Sequence, residues 1–497
     1  MGHQRIGLHR YRRAELHRGT DRGGRGGSVT RASDRTDSGL SKPGEARSVG
    51  PTVQSLLADD TREVPPPLLE ESYEFLGSAD IDKDRYLTPE FHQLEVERMW
   101  KKVWQFACRE EDIPEPGDYH VYDLADMSLI VVRTAAGEIK AFHNSCLHRG
   151  TRLCDDAGRA NQLRCPFHGF TWSLEGALTD VPGRWDFPHL DDATFALPQA
   201  QTGVWAGFVF VNPDPAAGPL SDYLGDLEKH FAPFKLQDRF KAIHVAKVID
   251  CNWKVGMEAF LESYHVIATH PQLLEYLGDD NTQYDIYTRS DGLPGFNRMI
   301  TPQATSSPHL EPLEPQDVLD AMFRDFFPEG VGAFEVPDGQ SARPIVAAAM
   351  RENLAQTTGA DLSGTSDSEI LDAIQYFVFP NMVPWAGVGA PLTYRFRPYG
   401  NDPNRCIFDI LMLIPLPAGV PKPKTAPPHW LGADEDYSAA PELGGLCAVF
   451  NQDLANLPRV QRGLRSMTKP GVTLANYQEV RIRQFHQDLD RYVSGDD

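Results

Sequence analysis

Two cysteines and two histidines alternate in the first half of this 497-residue sequence with the spacing C-x-H-x16-C-x2-H. They are Cys146, His148, Cys165 and His168, so each of two short segments supplies one thiolate and one imidazole. Both groups are ligands for transition metals. Two tight loops at the tips of β-hairpins can bring the pairs together from opposite sides. The spacing therefore predicts a small β domain that clamps a metal centre between two loops.

The interleaving of the two ligand types indicates which centre this is. If one iron takes both thiolates and the other takes both imidazoles, the result is a Rieske [2Fe–2S] cluster. A structural zinc site is the alternative, because it also uses two Cys and two His. Zinc modules, however, usually pair C-x2-4-C with H-x3-5-H.

Strand-like segments surround the two loops, as this interpretation requires. Alternating patterns and turn residues predict strands at Tyr119–Leu124, Ser128–Arg133, Ile139–Asn144, Leu163–Cys165, Phe170–Ser173 and Val204–Asn212. A helix is expected to begin at Thr88-Pro89, since Thr is a good N-cap and Pro suits the first helical position.

A second group of candidate ligands follows about a hundred residues later, with the pattern E-x2-H-x4-H. Glu262, His265 and His270 lie in or just after a helix expected over Trp253–Ala268. The two histidines are about 140° apart on an ideal helix, so they cannot meet at one metal unless the helix ends between them. Pro271 disfavours helical geometry at His270 and predicts such a break.

Two histidines with one distant carboxylate form the facial triad of non-haem Fe(II) oxygenases. Glu258 competes for the carboxylate position, because it lies two turns before His265 on the same helix. The alternative for the histidines is a pair of hydrogen-bonded core residues without a metal.

These motifs resemble those of the Rieske non-haem iron oxygenases, the aromatic-ring-hydroxylating alpha-subunit family. The second loop of the family typically reads C-P-[YF]-H-G-[WF]-x-[YW] and then Gly, and this sequence has Cys165-Pro-Phe-His-Gly-Phe-Thr-Trp172 and then Gly176. Respiratory Rieske proteins carry an additional loop disulfide, but the corresponding positions here are Thr151 and Phe167. The resemblance covers roughly residues 75–495 in domain order.

The resemblance adds two residue roles that spacing alone does not give. Asp453, followed by Gln461 eight residues later, matches the helix that supplies the third iron ligand in the family. Glu262 matches an acid that bridges a metal-ligating histidine to a Rieske histidine of the neighbouring subunit. Relatives that dihydroxylate rings mostly have Asp there, so the choice between mono- and dioxygenation stays open.

The expected fold class is α+β, with an all-β Rieske domain followed by a START-like helix-grip catalytic domain. The expected divisions are a disordered basic Arg/Gly-rich extension over 1–70, a helical segment over 75–105, the Rieske domain over 106–220, a linker over 221–240, and the catalytic domain over 241–497. Further helices are expected near 315–327, 343–357, 452–465 and 474–492.

Charge and hydropathy exclude several classes of function. Residues 1–50 carry a net charge of about +6, so the remainder of a chain with net charge −22 carries about −28. Such an acidic body would be repelled by nucleic acid. No apolar run is long enough to span a bilayer, and no apolar core follows Arg12-Arg13, so we expect a cytoplasmic protein.

The function expected from the resemblance is that of a terminal oxygenase component. Electrons pass through the [2Fe–2S] cluster to a mononuclear Fe(II), and O₂ is activated to hydroxylate an apolar or aromatic organic substrate. A separate NAD(P)H-dependent flavin reductase, with or without a ferredoxin, must supply the electrons, because the sequence has neither a plant-type ferredoxin motif nor a dinucleotide-binding motif. A homotrimer is the expected assembly. An electron-transfer protein with a ligand-binding domain that lacks active iron, and a zinc hydrolase, are the alternatives.

Overall fold

The computed structural model describes residues 42–326 and 330–494. The helices, in chain order, are α1 (Val53–Ala58), α2 (Asp84–Leu87), α3 (Pro89–Glu95), α4 (Leu220–Leu224), α5 (Leu227–Phe231), α6 (Trp253–Glu258), α7 (Val266–Thr269), α8 (Pro315–Phe326), α9 (Arg343–Thr358), α10 (Asp367–Leu371), α11 (Leu446–Ser466) and α12 (Val480–Val493). The predicted helix start at Thr88 is confirmed, because its side chain accepts a hydrogen bond from the backbone N–H of Phe91.

The strands of the first half are β1 (Ile81–Asp82), β2 (Gln105–Arg109), β3 (Asp118–Leu124), β4 (Met127–Arg133), β5 (Ile139–His143), β6 (Gly158–Arg159), β7 (Leu163–Arg164), β8 (Thr171–Trp172), β9 (Leu178–Asp180), β10 (Gln199–Trp205) and β11 (Phe208–Asn212). Those of the second half are β12 (Arg239–Ile249), β13 (Gln283–Tyr287), β14 (Phe296–Thr301), β15 (Ala373–Val378), β16 (Met382–Pro384), β17 (Leu392–Tyr399), β18 (Asp402–Pro415), β19 (His429–Leu431) and β20 (Gly471–Val472).

The first half forms a small β domain. Within the described residues its main sheet has seven strands in the order β2-β11-β10-β5-β4-β3-β6, and β7, β8 and β9 form a second, three-stranded sheet. A separate apolar cluster that includes Ile130, Phe142, Phe170 and Trp172 lies between them. This cluster fixes the two loops that carry the cysteine and histidine pairs.

The second half is built on a sheet of eight described strands in the order β13-β14-β15-β16-β17-β18-β12-β19. Neighbouring strands are antiparallel except that β19 runs parallel to β12. The long helices α11 and α12 pack onto the core of this sheet through residues such as Phe450, Leu457, Phe485 and Leu489. The predicted α+β class is confirmed.

The two sheets are held together by buried polar contacts. The guanidinium of Arg395 donates to the backbone oxygens of Phe106 and Ala107, at 3.1 and 2.6 Å. Arg397 donates to the backbone oxygen of Asp123 at 2.9 Å. Both guanidinium groups contact the carboxylate of Asp409, at 3.0 and 3.3 Å, so each buried arginine has an ion-pair partner between the sheets.

The expectation of a disordered extension up to residue 70 is wrong for residues 42–70, and residues 1–41 lie outside the described residues. Thr52 caps α1, whose Val53 and Leu57 enter the main core. Leu68 is fully buried in the same core. Val53 and Leu57 have helical spacing after a capping Thr, a local pattern that the Arg- and Gly-rich composition of the first 50 residues concealed.

None of the helices in the described residues combines the length and the apolar character needed to cross a lipid bilayer.

Candidate functional site

The Cys146 and Cys165 loops follow strands β5 and β7, and both are closed by the same backbone pattern. The N–H of Gly150 donates to the oxygen of Cys146 at 2.8 Å, and that of Gly169 donates to the oxygen of Cys165 at 3.1 Å. Both glycines have a φ near +80°, which a side chain would disfavour. Each loop therefore turns tightly enough to hold its cysteine and histidine together.

The structure brings the four predicted cluster ligands to one place. Both cysteines are buried and unbridged, and the rings of His148 and His168 lie 4.7 Å apart. His148 stacks on Phe170 at 4.8 Å, while His168 is exposed. The Nδ1 atom of His148 is buried and has no hydrogen-bond partner within the described residues. A buried imidazole nitrogen without a partner, in a ring beside a second imidazole and on loops that also carry two buried thiols, fits a metal cluster.

The two thiols differ in their surroundings. Burial raises the pKa of Cys146. Burial also acts on Cys165, but the backbone N–H groups of His168 and Phe167 stabilise its thiolate and lower its pKa. Backbone donors directed at a sulfur favour the deprotonated form that binds metals.

The second predicted group is also assembled. One ligand atom from each of His265, His270 and Asp453 lies within 4.8 Å of the other two. The Nε2 atom of His270 is 3.1 Å from Oδ1 of Asp453, and that of His265 is 3.7 Å away. Among the His, Cys, Asp and Glu side chains of the described residues, these three form the group that lies close enough together to hold one ion.

The chain reaches this geometry through two helix breaks. The predicted break at His270 is present: His270 ends α7 with φ −125° and ψ 51°, and Pro271 follows. The expected continuous helix over Trp253–Ala268 is wrong, however, because α6 ends at Glu258 and α7 begins only at Val266. Glu262 and His265 therefore do not share a helix face.

Glu262 instead holds His265 at the start of α7. One carboxylate oxygen accepts from the backbone N–H of His265 at 2.9 Å, and the other lies 2.8 Å from its Nδ1. Burial acts to lower the pKa of His265, but the Glu262 carboxylate outweighs it and raises that pKa. This contact directs Nε2 of His265 toward Asp453.

Gln452 performs the same task for His270, and sequence reasoning did not single it out. Its amide oxygen lies 2.7 Å from Nδ1 of His270 and also accepts from the side chain of Gln272 at 2.9 Å. With Nδ1 of both histidines occupied, both Nε2 atoms face Asp453. Partners of this kind fix the tautomer and the ring orientation of metal-binding histidines. Its position next to Asp453 was the signal that could have revealed it.

Glu258 and Gln461, which the sequence also singled out, contact residues other than the two histidines. Glu258 lies 3.1 Å from the hydroxyl of Tyr86 and 2.9 Å from Nε2 of His486, away from the three-residue group. Gln461 accepts from the backbone N–H of Asn252 at 2.9 Å. Gln461 therefore joins helix α11 to the start of helix α6.

A cavity of about 440 Å³ opens beside the three-residue group. Its walls are mostly aliphatic and aromatic, with Phe260, Leu277, Trp385, Leu392 and Phe450 among them. This size and lining suit a small organic molecule rather than a polymer.

Two family models match the chain. The Rieske [2Fe-2S] domain matches residues 103–190, and the ring hydroxylating alpha subunit (catalytic domain) matches residues 228–495, which is more than half of the chain.

Curated relatives are similar over a shorter stretch. The glycine betaine monooxygenase oxygenase subunit of Chromohalobacter salexigens is 30% identical over 46% of this chain and 50% of its own length. The chlorobenzene dioxygenase subunit alpha of a Cupriavidus species is 35% identical over 37% of this chain and 42% of its own length. The chain thus spans about half the length of the curated relatives it matches.

Solved structures extend the likeness in fold. A quaternary ammonium Rieske monooxygenase in complex with L-carnitine is matched with a TM-score of 0.58 and 17% identity, over 85% of this chain and 100% of the other. A naphthalene 1,2-dioxygenase variant bound to phenanthrene is matched with a TM-score of 0.57 and 20% identity, over 85% and 94%. At these identities the matches establish the fold.

Proposed function

The chain belongs to the large subunits of the Rieske non-haem iron oxygenases, whose cofactors are a [2Fe–2S] cluster and a mononuclear iron, and from this premise we propose that it is a terminal oxygenase that hydroxylates a small apolar organic substrate. The observation that carries the proposal is the meeting of His265, His270 and Asp453 at the wall of an apolar cavity. An electron-transfer protein would need no such group.

In this proposal Cys146 and Cys165 hold one iron of the cluster, and His148 and His168 hold the other. His265, His270 and Asp453 hold the mononuclear iron. When bound, the two groups supply electron storage and the activation of O₂. Because these three side chains line the cavity, a substrate bound there would lie next to the iron that they would hold.

The chain's own residues position these ligands and shape the reaction space. Glu262 and Gln452 orient the two imidazoles through Nδ1. Aliphatic and aromatic side chains such as Leu277, Leu392 and Phe450 exclude water from the cavity. An apolar substrate is bound there by removal of its surface from water.

We further propose that a separate NAD(P)H-dependent flavin reductase delivers the electrons, directly or through a ferredoxin, and that the subunits form a head-to-tail trimer. In that ring Glu262 links His265 to His168 of the next subunit. The exposure of His168 and of Tyr264, next to the metal group, supports this arrangement, since both lie on surfaces open to another chain.

Metal analysis of the reconstituted protein tests the central proposal. We expect about three irons and about two acid-labile sulfides per chain, a brown colour, and the reduced-state electron paramagnetic resonance of a histidine-ligated cluster. Single-turnover reaction of the reduced protein with O₂ and an apolar aromatic compound should give a hydroxylated product. About two irons without hydroxylation would instead indicate an electron-transfer protein, and zinc without sulfide would overturn the family-based function.

A further inference from the structure

The cavity beside the candidate iron ligands is nearly free of charged side chains. Among the described residues that line it, none is Lys or Arg, and the acids are Glu262 and Asp453. Asp453 belongs to the three-residue group, and the carboxylate of Glu262 contacts Nδ1 of His265, so both are already engaged with the imidazoles. A carboxylate or sulfonate on the substrate would lose its hydration without gaining a cation, which is strongly unfavourable. The lining therefore disfavours an anionic substrate.

Gln375 is a polar side chain deep in this lining, with 1% of its surface exposed. Its Oε1 atom accepts a hydrogen bond from Nη1 of Arg481 at 2.8 Å. A guanidinium can only donate, so the oxygen of the amide must be the atom that faces Arg481. The amide nitrogen is thereby turned away from Arg481, and no described residue accepts a hydrogen bond from it.

Arg481 strengthens this donor. It is fully buried, and its Nε and Nη1 atoms donate to neutral oxygens of Asn297, Leu261 and Gln375 rather than to a carboxylate. Burial lowers the pKa of Arg481 to about 9, so it remains protonated at neutral pH. A cation behind the amide oxygen polarises the amide and makes its N–H groups better donors. A cationic substrate group at this position would meet the positive end of the same dipole.

We propose that Gln375 selects a neutral, largely apolar substrate with one hydrogen-bond acceptor, by donating its amide N–H to that acceptor. Ketones, ethers and similar neutral oxygen compounds belong to this class, whereas carboxylates and quaternary ammonium compounds do not. The inference rests on the proposed function, because it concerns the substrate of the same cavity.

Binding of four probes that share one bicyclic skeleton tests the inference without turnover. They are tetralin, α-tetralone, tetralin carboxylate and tetralin trimethylammonium, each titrated calorimetrically into the iron-loaded, reduced protein under anaerobic conditions. We expect α-tetralone to bind most tightly. Gln375→Leu should weaken its binding about tenfold, the worth of one hydrogen bond, and change that of tetralin less than about twofold.

Two further variants complete the test. Gln375→Glu keeps an acceptor for Arg481 but removes the N–H donor, so it should show the same selective loss even if the Leu variant folds poorly. Asn353→Ala removes another amide that lines the cavity but lies on its exposed side, and should affect both probes equally.

Equal weakening of α-tetralone and tetralin by both Gln375 variants would overturn the inference. Binding of the carboxylate or the ammonium probe more tightly than α-tetralone would also overturn it, as would failure of all four probes to bind. The proposed function is judged separately by its metal content and by product formation.

Discussion

At the scale of single residues, Asp453 completes the candidate iron site. Two imidazoles from one segment cannot hold Fe(II) firmly, and Asp453 is the carboxylate that lies against both of their Nε2 atoms. We expect Asp453→Ala to lose the mononuclear iron and all hydroxylation, while the cluster spectrum stays unchanged because its ligands lie in the other domain. Iron content and visible absorption of the purified variant give the readout.

Glu258→Gln is the matched control for this prediction. Glu258 contacts Tyr86 and His486 rather than the two histidines. The variant should therefore keep its mononuclear iron. If Asp453→Ala retained iron and Glu258→Gln lost it, the third ligand would have been assigned to the wrong carboxylate.

Gln452 should contribute to the affinity for iron without being a ligand. Its amide oxygen is positioned to accept from Nδ1–H of His270, and loss of such a partner typically weakens metal binding about 10- to 100-fold. We expect Gln452→Ala to show that loss in an Fe(II) titration. Gln272→Ala is the control, since Gln272 contacts Gln452 but not the histidine. Equal effects of the two substitutions would mean that the contact with His270 does not matter.

Residues differ in how far the sequence could reveal them. Cys146, His148, Cys165 and His168 form a local spacing whose chemistry is specific. Asp453 is separated from His270 by more than 180 residues, so only a family pattern could suggest it. Gln452 is marked only by its position next to Asp453, and Gln375 carries no pattern at all. Their roles depend on which atoms the folded chain places opposite them.

At the scale of elements, the segment between Glu258 and Val266 shows where sequence periodicity fails. Its residue types favour a helix, yet tertiary contacts override that preference. The side chain of Ser263 bonds to the hydroxyls of Thr282 and Tyr284, at 2.6 and 2.9 Å. These buried hydrogen bonds hold the segment away from helical geometry, and none of them could be read from the local sequence.

The segment before the first domain should contribute to stability, contrary to the sequence expectation. Leu68 is fully buried in the main core, whereas the adjacent Leu69 is 53% exposed. We expect Leu68→Ala to lower the free energy of unfolding by about 2–5 kcal/mol, because it leaves a cavity in a packed core. Leu69→Ala should cost less than about 1 kcal/mol. Thermal unfolding of the two variants compares them, and equal melting temperatures would contradict the packing of this segment.

The end of helix α6 should make stability depend on pH. Burial raises the pKa of Glu258 to about 8, although the hydroxyl of Tyr86 partly offsets it. An unfolded Glu titrates near about 4.3, so between these values the folded state binds the additional proton. Stability from this group is therefore complete below about pH 4 and is lost as the pH rises toward about 8.

Glu258→Gln removes this titration. Relative to the wild type, the melting temperature of the variant should rise as the pH increases from about 5 to about 8. The corresponding change in the free energy of unfolding is a few kcal/mol, since one pKa unit is worth about 1.4 kcal/mol. The comparison needs both proteins in the same metal-loaded state. A constant difference across that range would show that Glu258 titrates normally.

At the scale of the whole molecule, the two sheets share one continuous apolar core and are joined by the buried Arg395, Arg397 and Asp409. The two candidate metal sites are therefore held in a fixed relation within one chain. His168 is exposed at the first site, and Tyr264, beside the second site, is 51% exposed. The exposure of both residues permits the proposed head-to-tail contact between subunits, which forms a ring if the rotation from one subunit to the next closes.

Glu262 is the residue that such a contact would use. Its carboxylate already bonds to the backbone and to Nδ1 of His265, and a carboxylate has lone pairs for a further donor, such as His168 of a neighbouring chain. Glu262→Gln keeps the size of the side chain but removes its charge, and it is not expected to remove either metal. We expect oxidation of the reduced cluster by O₂ and substrate to slow by orders of magnitude in stopped-flow single turnover. Normal kinetics in this variant would rule out the bridge between subunits. Full activity of a protein that sedimentation shows to be a monomer would do the same.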